Sequence, residues 1–200
     1  ETQNPHITKI ETKIFNQDYP ICFHWYSLLN QTQKIKLKPK NGFILNWGCH
    51  LQKKLANFHL KTKIVHIGKL NSSWVNPALL QNIQNQLPLD IYSYEKPDPQ
   101  LYHNLKILGF TKKLSKLNQY QFGLITIANN QLRNHGFSAK HLMYFSFGLP
   151  VLCPEWRRDP ILSSGTIYYN ESNLKSQIKK YSQKKLWIKK HQAAIKIAKN

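Results

Sequence analysis

The chain has 200 residues, 41% hydrophobic and 12% aromatic, a composition that indicates a folded chain and excludes a disordered one. Its formal net charge of +20 favours polyanionic partners, namely phosphorylated ligands, an anionic membrane surface or nucleic acid. The excess is almost all Lys, beside many Asn and Ile, which a general compositional bias would also give. Because base recognition favours Arg, the presence of only three arginines argues against a nucleic-acid partner.

No apolar run reaches the roughly 18 residues of a membrane-spanning helix, and no signal peptide precedes the first polar residues. The chain does not begin with Met, so we interpret it as part of a longer protein. The three cysteines are far apart, and no histidine pairs with Cys or Asp at a ligand spacing. We therefore expect a cytoplasmic location, with the inner face of the cell membrane as an alternative, and no metal or other cofactor.

The pattern of elements along the chain is irregular before residue 63 and regular after it. A strand at 20–26, a short helix from Ser27 and a strand at 42–48 precede a series in which strands and helices alternate. That series is strand 63–68, helix 76–87, strand 89–94, strand 107–110, short helix 114–120, strand 122–127, helix 138–147, strand 150–153, strand 165–169, and helices 172–181 and 184–198. This alternation predicts an α/β fold with a Rossmann-like parallel sheet flanked by helices.

Two loops follow strands of this sheet, at the edge where ligands of open parallel sheets bind. In the first, Gly68 allows close backbone approach to a ligand and Lys69 adds a cation. In the second, Gly136 leads through Ser138 and Ala139 to Lys140 in the first turn of a helix. The N–H groups of that turn and the helix dipole form an anion site. A capped helix with a solvated lysine fits the residues equally well.

Residues 138–151, SAKHLMYFSFGLPV, resemble the donor-binding motif of GT-B glycosyltransferases: a small residue, Lys, apolar residues, Glu, Tyr and Gly-x-Pro-Val. Four further segments resemble parts of these enzymes in the same order. They are the linker between the two domains (44–49), the first strand and glycine loop of the C-terminal domain (64–70), the strand beside the nucleobase (107–110) and the strand before the phosphate loop (122–125).

The resemblance implies the C-terminal, donor-binding half of a GT-B fold and a metal-independent sugar transfer. The donor would be a nucleotide diphosphate sugar of the UDP or GDP type, and the acceptor a glycan or a lipid-linked molecule. Matched by position, Gly68, Lys69 and Lys140 face the diphosphate with the amides of residues 138 and 139, and Gly109 and Phe110 line the base.

The sequence departs from the family at the ribose. Met143 occupies the place of the family's ribose-binding carboxylate, and a thioether cannot accept hydrogen bonds from two hydroxyls as a carboxylate does. Glu155 or Asp159, just beyond the next strand, are possible substitutes. The strand at 122–127 also lacks the family's Asp and Pro, having Gln121 and Thr126 instead.

The resemblance also divides the chain. Residues 1–45 would be the end of an acceptor-side domain and a linker, and residues 46–200 the nucleotide-sugar-binding domain, whose last helix crosses back toward the N-terminal part. The catalytic base stays unassigned, so we expect donor binding without turnover by this chain alone. The alternatives are a nucleotide-sugar epimerase-like enzyme, a non-catalytic accessory subunit and, last, a nucleic-acid-binding protein.

Overall fold

The computed structural model describes residues 49–72, 75–96, 98–100, 105–111, 113–129 and 138–199. These form a parallel sheet of five strands with helices against it. The elements in chain order are β1 (Ile64–Ile67), α1 (Pro77–Gln86), β2 (Leu89–Tyr92), a 3-10 helix (Leu114–Gln119), β3 (Phe122–Leu124), α2 (Ala139–Ser146), β4 (Val151–Pro154), a 3-10 helix (Glu155–Arg157), β5 (Thr166–Tyr169), α3 (Leu174–Tyr181) and α4 (Lys184–Lys199).

The spatial order of the strands is β2-β1-β3-β4-β5, and every neighbouring pair is parallel. The chain runs outward from β1 through β2 on one side, and from β3 through β5 on the other. The strand order therefore reverses between β1 and β3, which makes their carboxyl ends the topological switch point of the sheet. The prediction of a Rossmann-like α/β fold is confirmed, whereas the predicted remnant of an N-terminal domain lies outside the described residues.

Local signals account for the first helix. The Asn76 side chain accepts a hydrogen bond from the Leu79 amide at 3.0 Å, and Pro77 occupies the first turn, where a missing N–H costs nothing. Leu79, Leu80 and Ile83 are buried against the sheet, and the helix ends before Pro88.

The strand predicted at 107–110 is observed only as a single parallel bridge between Ile107 and Ile91. Gly109 has a φ of +76°, a left-handed conformation that ends the extended run. The segment nevertheless stays beside β2, since the Leu108 amide donates to the Ile91 carbonyl at 2.8 Å and the Ser93 amide donates to the Gly109 carbonyl at 3.1 Å.

Helix α4 packs against the residues before β3 and after α2. The Trp187 indole N–H donates to the Gln121 carbonyl at 2.8 Å, and its ring stacks on His191 with a centroid distance of 4.7 Å. The His191 Nδ1 in turn lies 2.6 Å from the carbonyl oxygen of Gly148, two residues after the end of α2. These contacts fix the C-terminal end of α2, and hence the direction in which its N-terminal end points.

Gly123, in the middle of β3, has no room for a side chain. A Cβ at this position would lie within 2.7 Å of three ring carbons of Tyr144, which is fully buried on α2. We expect Gly123→Ala to lower the free energy of unfolding by about 3 kcal/mol, because neither the strand nor the buried ring can move aside. Urea unfolding of this variant checks the value. Gly109→Ala, where a Cβ meets no atom within 4 Å but φ is +76°, measures the smaller cost of backbone strain alone, about 1 kcal/mol.

Candidate functional site

The ladder between β1 and β3 ends early, and the hydroxyl of Tyr144 occupies the opening. The two strands pair only at Ile64–Phe122 and Val65–Gly123. Beyond them, the Ile67 amide donates to the Tyr144 hydroxyl at 3.1 Å, and that hydroxyl lies 3.4 Å from the carbonyl oxygens of both Val65 and Leu124. Burial raises the pKa of Tyr144, so the hydroxyl stays protonated. The Tyr144 hydroxyl thus bridges β1 and β3 at the switch point.

The two loops predicted to bind an anion meet at this edge of the sheet. Gly68 follows β1 and has a φ of +147°, a conformation that side chains rarely adopt. A Cβ placed on it would lie 2.5 Å from the Nζ atom of Lys140, in the first turn of α2. The ammonium group therefore lies directly over the backbone of the glycine loop, a contact that only glycine permits.

His66 lies in β1 behind this contact and is completely buried. Its Nδ1 is 3.1 Å from the Leu124 carbonyl oxygen, which can only accept, so Nδ1 carries the hydrogen. Burial and the nearby Lys140 lower its pKa to about 3. The neutral ring leaves Nε2 as an acceptor without a partner among the described residues, and Thr126 Oγ1 is likewise buried and unpartnered there.

The N-terminus of α2 has the predicted boundary. Ser138 is the N-cap residue, and its side chain makes no capping hydrogen bond. Ala139 is exposed, and the first turn contains no acidic residue. The anion-binding role of residues 138 and 139 stays a prediction, and Gly136 of the same loop lies outside the described residues.

A carboxylate that sequence analysis missed holds the glycine loop in place. The Glu95 side chain accepts hydrogen bonds from the amides of Leu70 and Asn71 at 2.8 and 2.9 Å, and these bonds lower its pKa. Both amides therefore donate their hydrogen bonds to Glu95. Asn71 extends the link, since its side chain donates to the Lys96 carbonyl and accepts from the Asp98 amide. An acidic residue three positions beyond β2, beside the β1 loop in a parallel sheet, was the available signal.

Lys69 is exposed on the outer side of the same loop. Its Nζ lies 6.0 Å from the ring centroid of Tyr94, and a hydrogen bond with the Tyr94 hydroxyl raises its pKa. Tyr94 also packs edge-to-face against Phe110 at 6.4 Å. Both rings remain largely exposed, at 59% and 63%. Together they present an aromatic surface beside the carboxyl end of β2, suited to contact with a flat apolar group.

Three residues are candidates for contact with a ribose: Met143, Glu155 and Asp159. Met143 is half-buried on α2, a helix that contains no acidic residue. Glu155 is exposed on the 3-10 helix after β4 and forms a salt bridge with Arg158 at 2.9 Å. The Asp159 carboxylate accepts from the Ile161 amide at 2.9 Å. Each carboxylate thus has a local partner, and its role toward a ribose stays a prediction.

Metal ligands do not cluster in the part of the chain that the structure describes: no group of three His, Cys, Asp or Glu residues there could hold an ion. The cations of the site are instead Lys69 and Lys140.

Comparison with known proteins gives a result at the level of structure alone. No protein-family model matches the sequence, and a search of curated proteins gives no significant match. Among solved structures, a mutant of S. aureus TarM in complex with fondaparinux, α-GlcNAc-glycerol and UDP is similar, with a TM-score of 0.56 and 13% identity over 85% of this chain and 39% of that one. The GtfA/B complex gives a TM-score of 0.58 and 12% identity over 86% of this chain and 41% of the other.

The chain therefore spans about two fifths of the length of the solved structures that it matches. At this identity the similarity concerns the fold, and it agrees with the all-parallel sheet flanked by helices. The predicted resemblance is confirmed at that level: the chain has a GT-B glycosyltransferase-like fold.

Proposed function

We propose that the chain is the donor-binding half of a cytoplasmic glycosyltransferase of the hexosyltransferase type. It would take a sugar from a nucleotide diphosphate sugar and serve its transfer to a glycan or lipid-linked acceptor without a metal. The observation that carries this proposal is the placement of Lys140 over Gly68 at the switch point of the sheet. A cation, a glycine loop and a helix N-terminus at one point are the elements that a diphosphate needs.

The chemical role of this arrangement follows from the leaving group. When the sugar departs, negative charge builds up on the diphosphate, and a donor set fixed beforehand stabilises it in place of a metal ion. Lys140 and the N-terminal amides of α2 would supply that stabilisation, with Lys69 at the outer side of the loop. The exposed rings of Tyr94 and Phe110 would contact the base, next to Gly109.

UDP is the first nucleotide to test, because the similar TarM structure contains it; GDP is the second. We further propose that these 200 residues bind a donor but do not turn it over without an acceptor-side domain or partner. The chain's coverage of about two fifths of the matched structures supports this, since the described residues correspond to only part of them.

A non-catalytic accessory subunit is the second candidate, and Met143 is the observation that favours it. A methionine at the ribose position removes an acceptor of hydrogen bonds that the family uses. Such a subunit would keep the fold and lose affinity for the nucleotide. An epimerase-like enzyme and a nucleic-acid-binding protein have no comparable support among the described residues.

Thermal unfolding against UDP, GDP, ADP and CMP, each with and without a sugar, tests the proposal. A donor-binding chain is stabilised by one diphosphate nucleotide, since a ligand at about 100 times its dissociation constant adds about 2.7 kcal/mol to stability. CMP, which has a single phosphate, is the comparison nucleotide, and UMP is the matched control for UDP. Stabilisation by none of the four supports the accessory subunit instead.

Met143→Glu is expected to strengthen UDP binding about tenfold. The half-buried side chain lies on the helix whose first turn carries Lys140, and a carboxylate there would accept hydrogen bonds from ribose hydroxyls. Titration calorimetry with UDP measures the gain, and Met143→Gln separates hydrogen bonding from charge. A weaker complex in both variants would contradict the assignment of this position to the ribose.

A further inference from the structure

Leu60 is the most exposed large apolar side chain among the described residues, with 98% of its surface accessible. It lies at the bend before β1, between two residues that are fixed to the C-terminal helices. The Phe58 ring packs edge-to-face on Trp187 of α4 at 5.8 Å, and the Thr62 hydroxyl bonds the Ser182 hydroxyl at 2.8 Å. The outward projection of Leu60 is therefore held by the fold.

Exposed lysines are close to this leucine along the chain and close to the Thr62–Ser182 contact. Six of them lie within three positions of the Thr62–Ser182 contact: Lys61, Lys63, Lys179, Lys180, Lys184 and Lys185. The chain contains no Asp or Glu after Glu171, and the only salt bridge between described residues joins Arg158 to Glu155. The charge of the six lysines is thus not neutralised by carboxylates of the described structure. Leu60 and these six lysines are named the Leu60 face.

We propose that the Leu60 face binds an anionic lipid surface. An apolar side chain that inserts at the headgroup boundary, beside lysines that attract anionic headgroups, is the arrangement such a surface requires. A nucleic acid would be served by the charge alone and would gain nothing from an exposed leucine. The face also contains no arginine, the side chain suited to bidentate phosphate contacts.

The Leu60 face and the candidate donor site lie at opposite edges of the sheet. Leu60 precedes β1 and Gly68 follows it, and a strand of four residues spans about 13 Å. No described helix is long and apolar enough to cross a bilayer. Attachment through the Leu60 face would leave the carboxyl edge of the sheet open to solvent, so lipid binding and nucleotide binding are separable.

Co-sedimentation with vesicles tests the proposal. We expect binding to phosphatidylcholine vesicles that contain phosphatidylglycerol, weaker binding at high salt, and none to phosphatidylcholine alone. The triple variant Lys180→Gln/Lys184→Gln/Lys185→Gln should bind on the order of 100-fold more weakly, since each lysine near the surface contributes about a fivefold factor. Leu60→Ser should bind about tenfold more weakly at unchanged net charge.

The matched control is Lys106→Gln/Lys113→Gln/Lys116→Gln, which removes three exposed lysines elsewhere and alters net charge equally. Retained binding in this control supports a defined face. An equal loss in both triple variants, or no effect of Leu60→Ser, overturns the proposal in favour of net charge. If the chain binds duplex DNA more tightly than vesicles, and Leu60→Ser does not change its affinity for DNA, the proposal is overturned in favour of a nucleic-acid partner. The melting temperature of each variant shows that it is folded.

Discussion

Replacing Lys140 with Ala is expected to weaken UDP binding by between about 10- and 100-fold. The ammonium group lies over the glycine loop at the switch point, where a diphosphate would accept a charge-assisted hydrogen bond from it. Such bonds contribute about 1.5–3 kcal/mol, and more where water is excluded. Titration calorimetry with UDP measures the loss, and UMP, which lacks the second phosphate, should show a smaller one.

Two controls make this result specific. Lys116→Ala removes an exposed lysine from the 3-10 helix before β3 and should leave UDP affinity unchanged. Lys140→Arg keeps the charge but carries a wider group into the narrow contact with Gly68, so it should recover only part of the affinity. If Lys140→Ala binds UDP as tightly as the unaltered chain, the diphosphate does not bind at the N-terminus of α2. The main support for donor binding would then be lost.

Acidification is expected to destabilise the fold through two buried histidines. His66 and His141 are fully buried, and burial, with Lys140 near the first and Arg157 near the second, lowers the pKa of each from 6.5 to about 3. Below pH 6.5 the two histidines are protonated in the unfolded chain but stay neutral in the folded chain. The free energy of unfolding therefore falls as the pH falls toward 3. Between pH 6.5 and 5 each histidine costs about 1.7 kcal/mol, and the pair about 3.3 kcal/mol.

Urea unfolding at a series of pH values measures this slope. His141→Phe and His66→Gln each remove one titrating ring, so each should flatten the curve by about half over this range. Phe suits position 141, where neither ring nitrogen has a partner among the described residues, and Gln at 66 can still donate toward Leu124. His50→Gln, at an exposed position, is the control for the loss of one imidazole. An unchanged slope in both buried variants would mean that other groups dominate acid unfolding.

The strands and helices could be predicted because their determinants are local. The buried runs of β1 and β4, the Asn76–Pro77 start of α1 and the Gly148 turn after α2 are all readable within a few residues. The prediction failed where a distant residue decides the outcome. The strand predicted at 107–110 is reduced to one bridge at Ile107. The strand predicted at 122–127 ends at Leu124, because the hydroxyl of Tyr144, from a helix farther along the chain, lies between β1 and β3 there.

The same distinction applies to the candidate site. Gly68 and Lys140 could be paired from the sequence, because both lie where the carboxyl ends of parallel strands meet. The hydrogen bonds of Glu95 and the orientation of His66 could not be, since they depend on the register of β1 with β2 and β3. A pattern of residue types predicts at which edge of the sheet a residue lies, but not which residues of neighbouring strands it contacts.

Glu95 has a consequence for the energetics of binding. Its carboxylate and the links through Asn71 hold the loop after β1 in one conformation before any ligand arrives. The conformational entropy of ordering that loop is therefore lost during folding, and a nucleotide does not lose it again on association. Glu95 thus makes the loop preorganised, and its contribution should appear as a smaller entropic penalty of binding.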